Sequence, residues 1–246
     1  INTFQSEDKI YDCINSINTN FNIIIVENSK NENFKKDIEA KYSNVKCILS
    51  GENLGYAKGN NLGLSKVTSE YALILNPDAT LEKDTLDIFL ETANQIDDFS
   101  ILGPAKQDEL GNKDILEEKK EIFQVNSLKG FAMLLNLKQF KDTGFFDHNF
   151  FIYLEEIDLC KRLINANKKI YLSKSIKINH LGGSSHNEKI NFEMELSRNW
   201  HWMWSTFYFN KKHYGYFNSL LKISGKLFST SIKIIFHTLD YLSLKF

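Results

Sequence analysis

Three short stretches of this chain carry residue types that do chemistry. The first is Asn53-Leu-Gly55-Tyr56-Ala-Lys-Gly59-Asn60-Asn61-Leu-Gly63, a glycine-studded turn opening a helix. The second is Asn76-Pro77-Asp78, which follows the apolar run Tyr71–Leu75, and the third is Glu155-Glu156-Ile-Asp158. Proline donates no amide and ends a strand, so Pro77 turns the chain outward and presents Asp78 in a loop at the sheet edge. A carboxylate there can help hold Mg²⁺ or Mn²⁺, which complete their shells with water and substrate phosphates. It would equally cap a helix beginning near Leu81. The glycine turn matches neither the G-x-G-x-x-G of dinucleotide folds nor a P-loop, which needs Gly-Lys-Ser/Thr. Its glycines still allow close backbone approach. Asn60 and Asn61 offer uncharged donors and acceptors, and they also suit a plain helix start. Adjacent carboxylates at a helix start point in different directions, so only one of Glu155 and Glu156 is expected to face a site. Their repulsion raises one pKa, while the helix N-terminus favours the ionised form. A solvated acidic first turn is the plain alternative. Asp158 is spaced to pair with Arg162, and His180 alone reads as a loop histidine.

Such groups need a scaffold that ends its strands at one edge. Ile1 to Gln5 reads as the end of a strand, and Ser6 caps a helix whose apolar face is Ile10, Ile14 and Ile17. Strands follow at Asn22–Val26 and Val45–Leu49, separated by a helix marked by Phe34, Ile38 and Tyr42. The glycine turn leads a helix over about Tyr56 to Lys66, then come the strand ending at Asn76 and a helix from Leu81 to Asn94. This alternation predicts a doubly wound parallel sheet, whose ligands sit at the carboxyl ends of strands. Beyond Pro104 the rhythm changes. Lys106 to Glu121 reads as a loop or weak hairpin, Gly130–Leu135 as a strand, Leu137–Asp142 as a short helix and Phe150–Tyr153 as a strand. A helix from Glu155 to Asn165 and short strands at Lys169–Leu172 and Ile176–Asn179 follow.

The chain has 246 residues, 42% hydrophobic and 25% charged, the balance of an ordinary globular protein able to bury a large core. A net charge of −1 is silent about partners, but its distribution is not. From Leu196 to Leu239 there is no Asp or Glu, while Arg198, Lys211, Lys212, Lys222, Lys226 and Lys233 fall in that interval. Cys13, Cys47 and Cys160 are far apart, which argues against a disulfide framework or zinc ribbon and for a reduced, cytoplasmic setting. No uninterrupted apolar run reaches the roughly 18 residues of a membrane span. The sequence begins at Ile1 rather than Met, so a start further upstream is expected. The aromatic cluster Trp200, Trp202, Trp204, Phe207, Tyr208 and Phe209 is expected to pack mostly on the domain. The helix from about Phe217 puts Ser219, Lys222, Lys226, Lys233, His237 and Asp240 near one face, with Leu220, Ile223, Leu227, Ile234 and Leu242 away from it. Such a helix fits either docking on the domain or lying on an anionic membrane surface.

Glu27-Asn28-Ser29 after a strand, the Asn53 to Gly63 turn and Leu75-Asn76-Pro77-Asp78 together resemble the inverting glycosyltransferase family 2. The nearest likeness is to its rhamnosyltransferase-like branch, which builds bacterial surface polysaccharides. Gly144-Phe-Phe-Asp147, Phe151-Ile-Tyr-Leu-Glu155-Glu156-Ile-Asp158-Leu-Cys160-Lys-Arg162 and His180-Leu-Gly-Gly-Ser-Ser185 extend the likeness in the same order, over about Thr3 to Gly215. The resemblance implies a GT-A fold, with a mostly parallel central sheet flanked by helices. Its nucleotide-binding part would cover about 1–104 and its acceptor-binding part about 105–215, with an amphipathic tail at 216–246. Thr3 and Phe4 take the place of the first strand's nucleotide contacts, and Glu27 that of an Asp that touches the base. Asn53, Gly55, Tyr56, Gly59, Asn60 and Asn76 complete the nucleotide-sugar set. Asp78 corresponds to the acid of a DxD-like element that holds Mg²⁺ or Mn²⁺, with His180 completing the metal shell. Glu156 stands at the catalytic base position beside Glu155, and Gly130 and Phe131 at the acceptor subsite.

The implied activity is metal-dependent transfer of a sugar from dTDP-rhamnose or a UDP-sugar to a glycan or polyprenyl-diphosphate-linked acceptor. The implied location is the cytoplasm, peripheral on the inner face of the plasma membrane if the tail binds there; no nucleic acid is expected. Glu27 and Glu156 depart from the usual Asp. A catalytically inactive nucleotide-sugar-binding or scaffold protein of the same fold is therefore the rival reading, while an oxidoreductase lacks its fingerprint.

Overall fold

A computed structural model describes residues 1–105, 120–180 and 191–243. The first sheet is parallel, in the order β1 (Asn2–Thr3), β2 (Ile23–Glu27), β3 (Val45–Leu49). Thr3 pairs with Glu27 and Glu27 with Leu49, so one sheet edge carries the ends of all three strands. Helices α1 (Glu7–Asn15) and α2 (Glu32–Lys41) turn their apolar residues onto it, closing a core of Ile10, Ile14, Ile25, Phe34, Ile38 and Cys47. The helix α3 (Gly55–Leu64) then leads to β4 (Tyr71–Leu75).

The second sheet adds β6 (Ile101–Pro104), β7 (Ile122–Val125), β8 (Ala132–Asn136) and β9 (Ile170–Ser173) to β4, in the order β4-β8-β6-β9-β7. Only β6 and β9 pair in parallel; β8 runs antiparallel to both β4 and β6, and β7 antiparallel to β9. The expected parallel sheet is thus parallel in its first half and mixed in its second. Every residue of β8 is buried, as befits a central strand.

A two-stranded antiparallel ribbon joins β5 (Ala79–Leu81) to β10 (Ile178–His180). This corrects the helix expected from Leu81: α4 (Thr85–Asn94) starts only after Asp84, whose φ is 62°. Asp78 is therefore no helix cap. The strand expected at Phe150–Tyr153 is also absent. That segment is irregular and ends in two left-handed residues, Tyr153 (φ 74°) and Leu154 (φ 65°), before α5 (Glu155–Asn165). The short helix expected at Leu137–Asp142 is a 3₁₀ turn over Leu137–Phe140. Of the expected Lys106 to Glu121 loop all but the last two residues, and of the motif after His180 everything from Leu181, lie outside the described residues.

Two long helices close the chain, α6 (Asn191–Tyr214) and α7 (Tyr216–Ser243), joined at Gly215 (φ 90°) and packed on each other. The tryptophans of the aromatic cluster stay largely exposed: Trp200 most of all, while Trp202 and Trp204 each keep one contact with the domain, at Tyr153 and at Asn149 O. Ser205 and Asn210 are the buried positions, with Tyr208 and Phe209 packed against the main core. Lys233, Ile234, His237, Asp240 and Leu242 of the expected tail faces have no described side chains. A cavity of about 680 Å³ lies among Ile23, Val45, Tyr71, Ile74 and Leu134; of the candidate site residues only Gly59 and Asn60 line it.

Candidate active site

One short segment, Gly130-Phe131, adjoins Asn76, His180, Tyr56 and Glu156. Leu75 pairs with Ala132, and the N–H of Asn76 donates to Phe131 O at 2.8 Å, so the tip of β4 meets the start of β8. The ribbon register sets His180 opposite Ala79, beside Asp78. The imidazole then stacks on the Phe131 ring, with centroids 4.5 Å apart and planes 9° from parallel. His180 Nε2 lies 3.4 Å from Asp78 Oδ1, a charge contact without hydrogen-bond alignment, and that buried oxygen accepts no hydrogen bond.

On its other side Gly130 faces α3 and α5. The Tyr56 hydroxyl donates to Gly130 O. A Cβ built on Gly130 would lie 3.1 Å from that hydroxyl and 3.5 Å from Glu156 Cβ, so the glycine lets the tyrosine and the glutamate close over the strand start. Tyr56 also donates its N–H to Phe151 O at 2.6 Å, tying α3 to the irregular turn before Glu155. Gly55 permits this approach on two counts. Its φ of 71° is left-handed, and a Cβ there would fall 2.3 Å from Phe151 O. The close approach allowed by the glycine turn is thus made by protein atoms; at Gly59 the Asn2 side chain fills the same role.

The first sheet's edge is tied to the same turn. Asn28 donates to Asn2 Oδ1 (2.6 Å) and to Gly55 O (3.2 Å), and Asn2 donates to Gly55 O (3.1 Å). Asn60 donates to Tyr56 O at 3.0 Å, Asn53 Oδ1 accepts from Gly55 N at 3.0 Å, and Asn61 exchanges two hydrogen bonds with the Phe146 backbone. Thr3 and Glu27 are buried at this edge, with Phe4 partly covered beside them. The Glu27 carboxylate accepts from the Ser29 hydroxyl (2.7 Å) and N–H (3.0 Å). Asn2 was not singled out from the sequence, because a lone asparagine beside a chain start gives no signal. Phe151 was hidden in an expected strand.

Glu155 and Glu156 both have raised pKa values. For Glu155 burial is the main cause and the Glu156 charge adds to it, carrying the group well above the ordinary carboxyl range against the opposing effect of its own N–H. For Glu156 burial also raises the value. The N–H groups of Glu156 and Ile157 and the Lys129 ammonium oppose it. The pair therefore titrates as a unit above the ordinary carboxyl range; the buried Oε2 of Glu155 has no hydrogen-bond partner, whereas Glu156 has more groups that favour its ionised form. Burial, then the Glu155 and Glu156 charges, pushes the Tyr56 phenol well above its usual value, so Tyr56 stays a neutral donor.

The turn before Glu155 is fastened from outside by α6. Ser205 donates to Ile152 O (2.8 Å), Trp204 to Asn149 O (3.3 Å), and the Phe151 ring stacks on His201 at 4.1 Å. Below it Asp158, wholly buried, meets Arg162 at the expected spacing (2.8 Å) and also Lys212 (2.7 Å) and His213 (2.8 Å). Asp147 pairs with Lys212 and Tyr208.

Among the described residues no three His, Cys, Asp or Glu side chains converge to hold a metal. Asp78 and His180 do converge, with an unsatisfied carboxylate oxygen between them, and this pair fits a cation that takes its other ligands from water and a diphosphate.

Residues 1–159 match the family described as Glycosyl transferase family 2, and the chain belongs to that family. It is 26% identical over 190 residues to the low-salt glycan biosynthesis hexosyltransferase Agl10 of Haloferax volcanii, covering 68% of this chain and 61% of that protein. It is 26% identical over 226 residues to the rhamnosyltransferase WbbL of Escherichia coli K12, covering 78% and 83%. A third relative is the N-acetylglucosaminyl-diphospho-decaprenol L-rhamnosyltransferase of Mycobacterium tuberculosis, 20% identical over 209 residues, covering 66% and 67%. Among solved structures it is similar to the mannosyltransferase PcManGT of Pyrobaculum calidifontis, in complex with GDP-Man and Mn²⁺ (TM-score 0.64, 12% identity, 83% of this chain and 61% of that one). It is also similar to TarS 1–349 of S. aureus in complex with UDP (TM-score 0.56, 18% identity, 71% and 56%). The fold is GT-A.

Proposed function

We propose that this chain is an inverting glycosyltransferase that moves a sugar from a nucleotide-diphosphate donor to a glycan or lipid-linked acceptor hydroxyl. dTDP-rhamnose is the first choice of donor and a UDP-hexose the second, in line with the names of its relatives. The observation that supports the reading is the Gly130-Phe131 segment, whose phenylalanine stacks on His180 of the Asp78–His180 pair and whose glycine adjoins Glu156, although the chain separates these residues widely. The first sheet's edge, with Thr3, Phe4 and Glu27, would take the nucleoside. Asn53, Gly55, Tyr56, Gly59, Asn60 and Asn76 shape the adjoining wall.

Asp78 and His180 would hold the divalent cation, which when bound offsets the charge of a departing diphosphate. The acceptor hydroxyl attacks the anomeric carbon from the face opposite the leaving group. The new C–O bond forms as the C–O bond to the diphosphate breaks, which inverts the centre. Glu156 takes the hydroxyl proton; its raised pKa suits a base working nearer neutrality. Glu155, protonated, adds no second negative charge beside it. Gly130 would stand at the acceptor side, where its missing side chain lets Tyr56 and Glu156 approach, and the Phe131 ring backs His180.

Release of nucleoside diphosphate across a panel of donors, with Mn²⁺ or Mg²⁺, tests this. One donor should be turned over slowly even without acceptor, and Asp78→Asn should abolish release. A donor that shifts the melting temperature without any release would instead make the chain a nucleotide-sugar-binding protein.

A further inference from the structure

Among the described residues, every large apolar side chain that is exposed belongs to α6, α7 or their neighbouring positions, between Leu196 and Ile232. On α7 they follow helical spacing: Phe217 (83% exposed), Leu221 (72%) and Phe228 (70%) fall at i, i+4 and i+11, one face of the helix. On α6, Trp200 is 69% exposed and Trp202 about half exposed, and Tyr216 stands at the junction. A contiguous stripe of this kind marks a docking surface rather than scattered exposure.

Charge decides what docks. The stretch from Leu196 to Leu239 contains no acid, and Lys211, Lys222 and Lys226 are exposed beside the apolar residues. A second copy of this chain would bring that basic surface against itself, since a two-fold interface joins like to like. An anionic surface is complementary. Among the described residues no helix is long and apolar enough to cross a bilayer, so the helices would lie in its plane. Tryptophan and tyrosine suit the interfacial layer, and lysine stems can lie along the apolar stripe with their ammonium groups among headgroups.

We infer that the α6–α7 face docks in the plane of an anionic lipid bilayer. The same helix α6 holds the turn ahead of Glu155 through Ser205 and Trp204, and Trp202 meets Tyr153 edge-on at 5.4 Å. Docking therefore sets the candidate base close to the headgroup layer. That last step rests on the transferase reading; the docking itself does not.

Co-sedimentation of the whole chain with vesicles of phosphatidylcholine alone, or with phosphatidylglycerol added, tests it. Binding should require the anionic lipid, fall at least tenfold on raising the salt from 0.05 to about 0.5 M, and blue-shift tryptophan emission. The variant Phe217→Glu/Leu221→Glu/Phe228→Glu, which alters only exposed positions, should lose binding at least tenfold with an unchanged circular dichroism spectrum. Equal binding to neutral vesicles, equal binding by the variant, or a stable dimer of the wild-type chain that the variant dissolves would each overturn the inference. Donor turnover measured without vesicles should be the same for both proteins. If turnover is absent but lipid binding holds, the activity reading alone fails.

Discussion

Glu155 and Glu156 differ by one position and should behave as different reagents. Glu155 is buried and Glu156 partly so, and only Glu156 has two helix-terminal N–H groups and Lys129 favouring its ionised form. Glu156→Gln is expected to lower kcat by about 10²- to 10⁴-fold, the usual contribution of a positioned base. Glu155→Gln replaces a protonated acid by its isostere and should change kcat by less than about tenfold on the same reasoning. The acidic limb of kcat/KM should lie above 4.5, the ordinary glutamate value, because the Glu156 pKa is raised. The same shifts bear on stability. A carboxyl whose folded pKa is raised stabilises fully below its unfolded value, and the contribution is lost as pH rises through the folded one. Glu155→Gln should therefore raise the melting temperature at pH 8 relative to wild type and do little at pH 4; an equal effect at both would mean that Glu155 is not buried as a neutral acid. At Gly55, alanine should cost about 2–4 kcal/mol in urea titrations, since it adds left-handed strain to a collision with Phe151 O. Spacing in the sequence pointed to the Asp158–Arg162 pair, whereas the roles of Asp78 and Glu156 came from the resemblance to a known family. Neither could reveal that Gly55 and Gly59 admit Phe151 and Asn2, because glycine spacing shows that something approaches closely and not what does.

The strands that buried themselves on both faces were legible as elements, because continuous apolar runs such as Ile23–Val26 and Ala132–Leu135 have few alternatives at that length. Their direction was not. A run of buried residues reads the same either way, and β8 runs antiparallel to both its neighbours, β4 and β6. Of the β5–β10 ribbon only β10 was anticipated, as a strand at Ile176–Asn179; β5 was missed because three residues leave no periodicity to detect, yet the ribbon is what brings His180 to Asp78. The role of α6 was likewise obscured by its tryptophans, which draw attention to the wrong face. The packed face mixes Tyr208 and Phe209 with polar Ser205 and Asn210, and Asp147 latches onto it through Tyr208 and Lys212. Burial pushes the Asp147 carboxyl up, but hydrogen bonds from Lys212, the Asn149 N–H and Tyr208 outweigh it and hold the group well below the ordinary range. A depressed acid stabilises fully above its unfolded value of 3.8 and loses that contribution as pH falls through the folded one. The latch should therefore remain closed through mild acid and open only below about pH 4, followed by the emission of Trp204, whose indole N–H bonds to Asn149 O. Asp147→Asn should release it at neutral pH. Trp204 emission that is insensitive to the substitution would remove α6 as the fastening of the turn. Asp158→Asn should cost more, about 3–5 kcal/mol, because it strands Lys212 and Arg162 around a buried position.

At the scale of the whole molecule the site belongs to no single sheet. The first sheet contributes Thr3 and Glu27, the end of β4 contributes Asp78, the small ribbon His180, and α5 Glu156. A ligand that spans them binds the folded chain and not the unfolded one, so it should raise stability by about 2.7 kcal/mol at a hundred times its Kd. With dTDP or UDP plus Mn²⁺, the melting temperature should rise for wild type and for Glu156→Gln, because the base is not needed to hold a nucleoside diphosphate. It should rise far less for Asp78→Asn and His180→Ala, and chelation by EDTA should return wild type to their level. The comparison separates binding from chemistry within one set of proteins. If Asp78→Asn keeps the full metal-dependent shift, the diphosphate is held elsewhere and the Asp78–His180 pair loses its assigned role. If Glu156→Gln loses the shift along with turnover, Glu156 acts in holding the donor, and the base must be sought among the other side chains around Gly130.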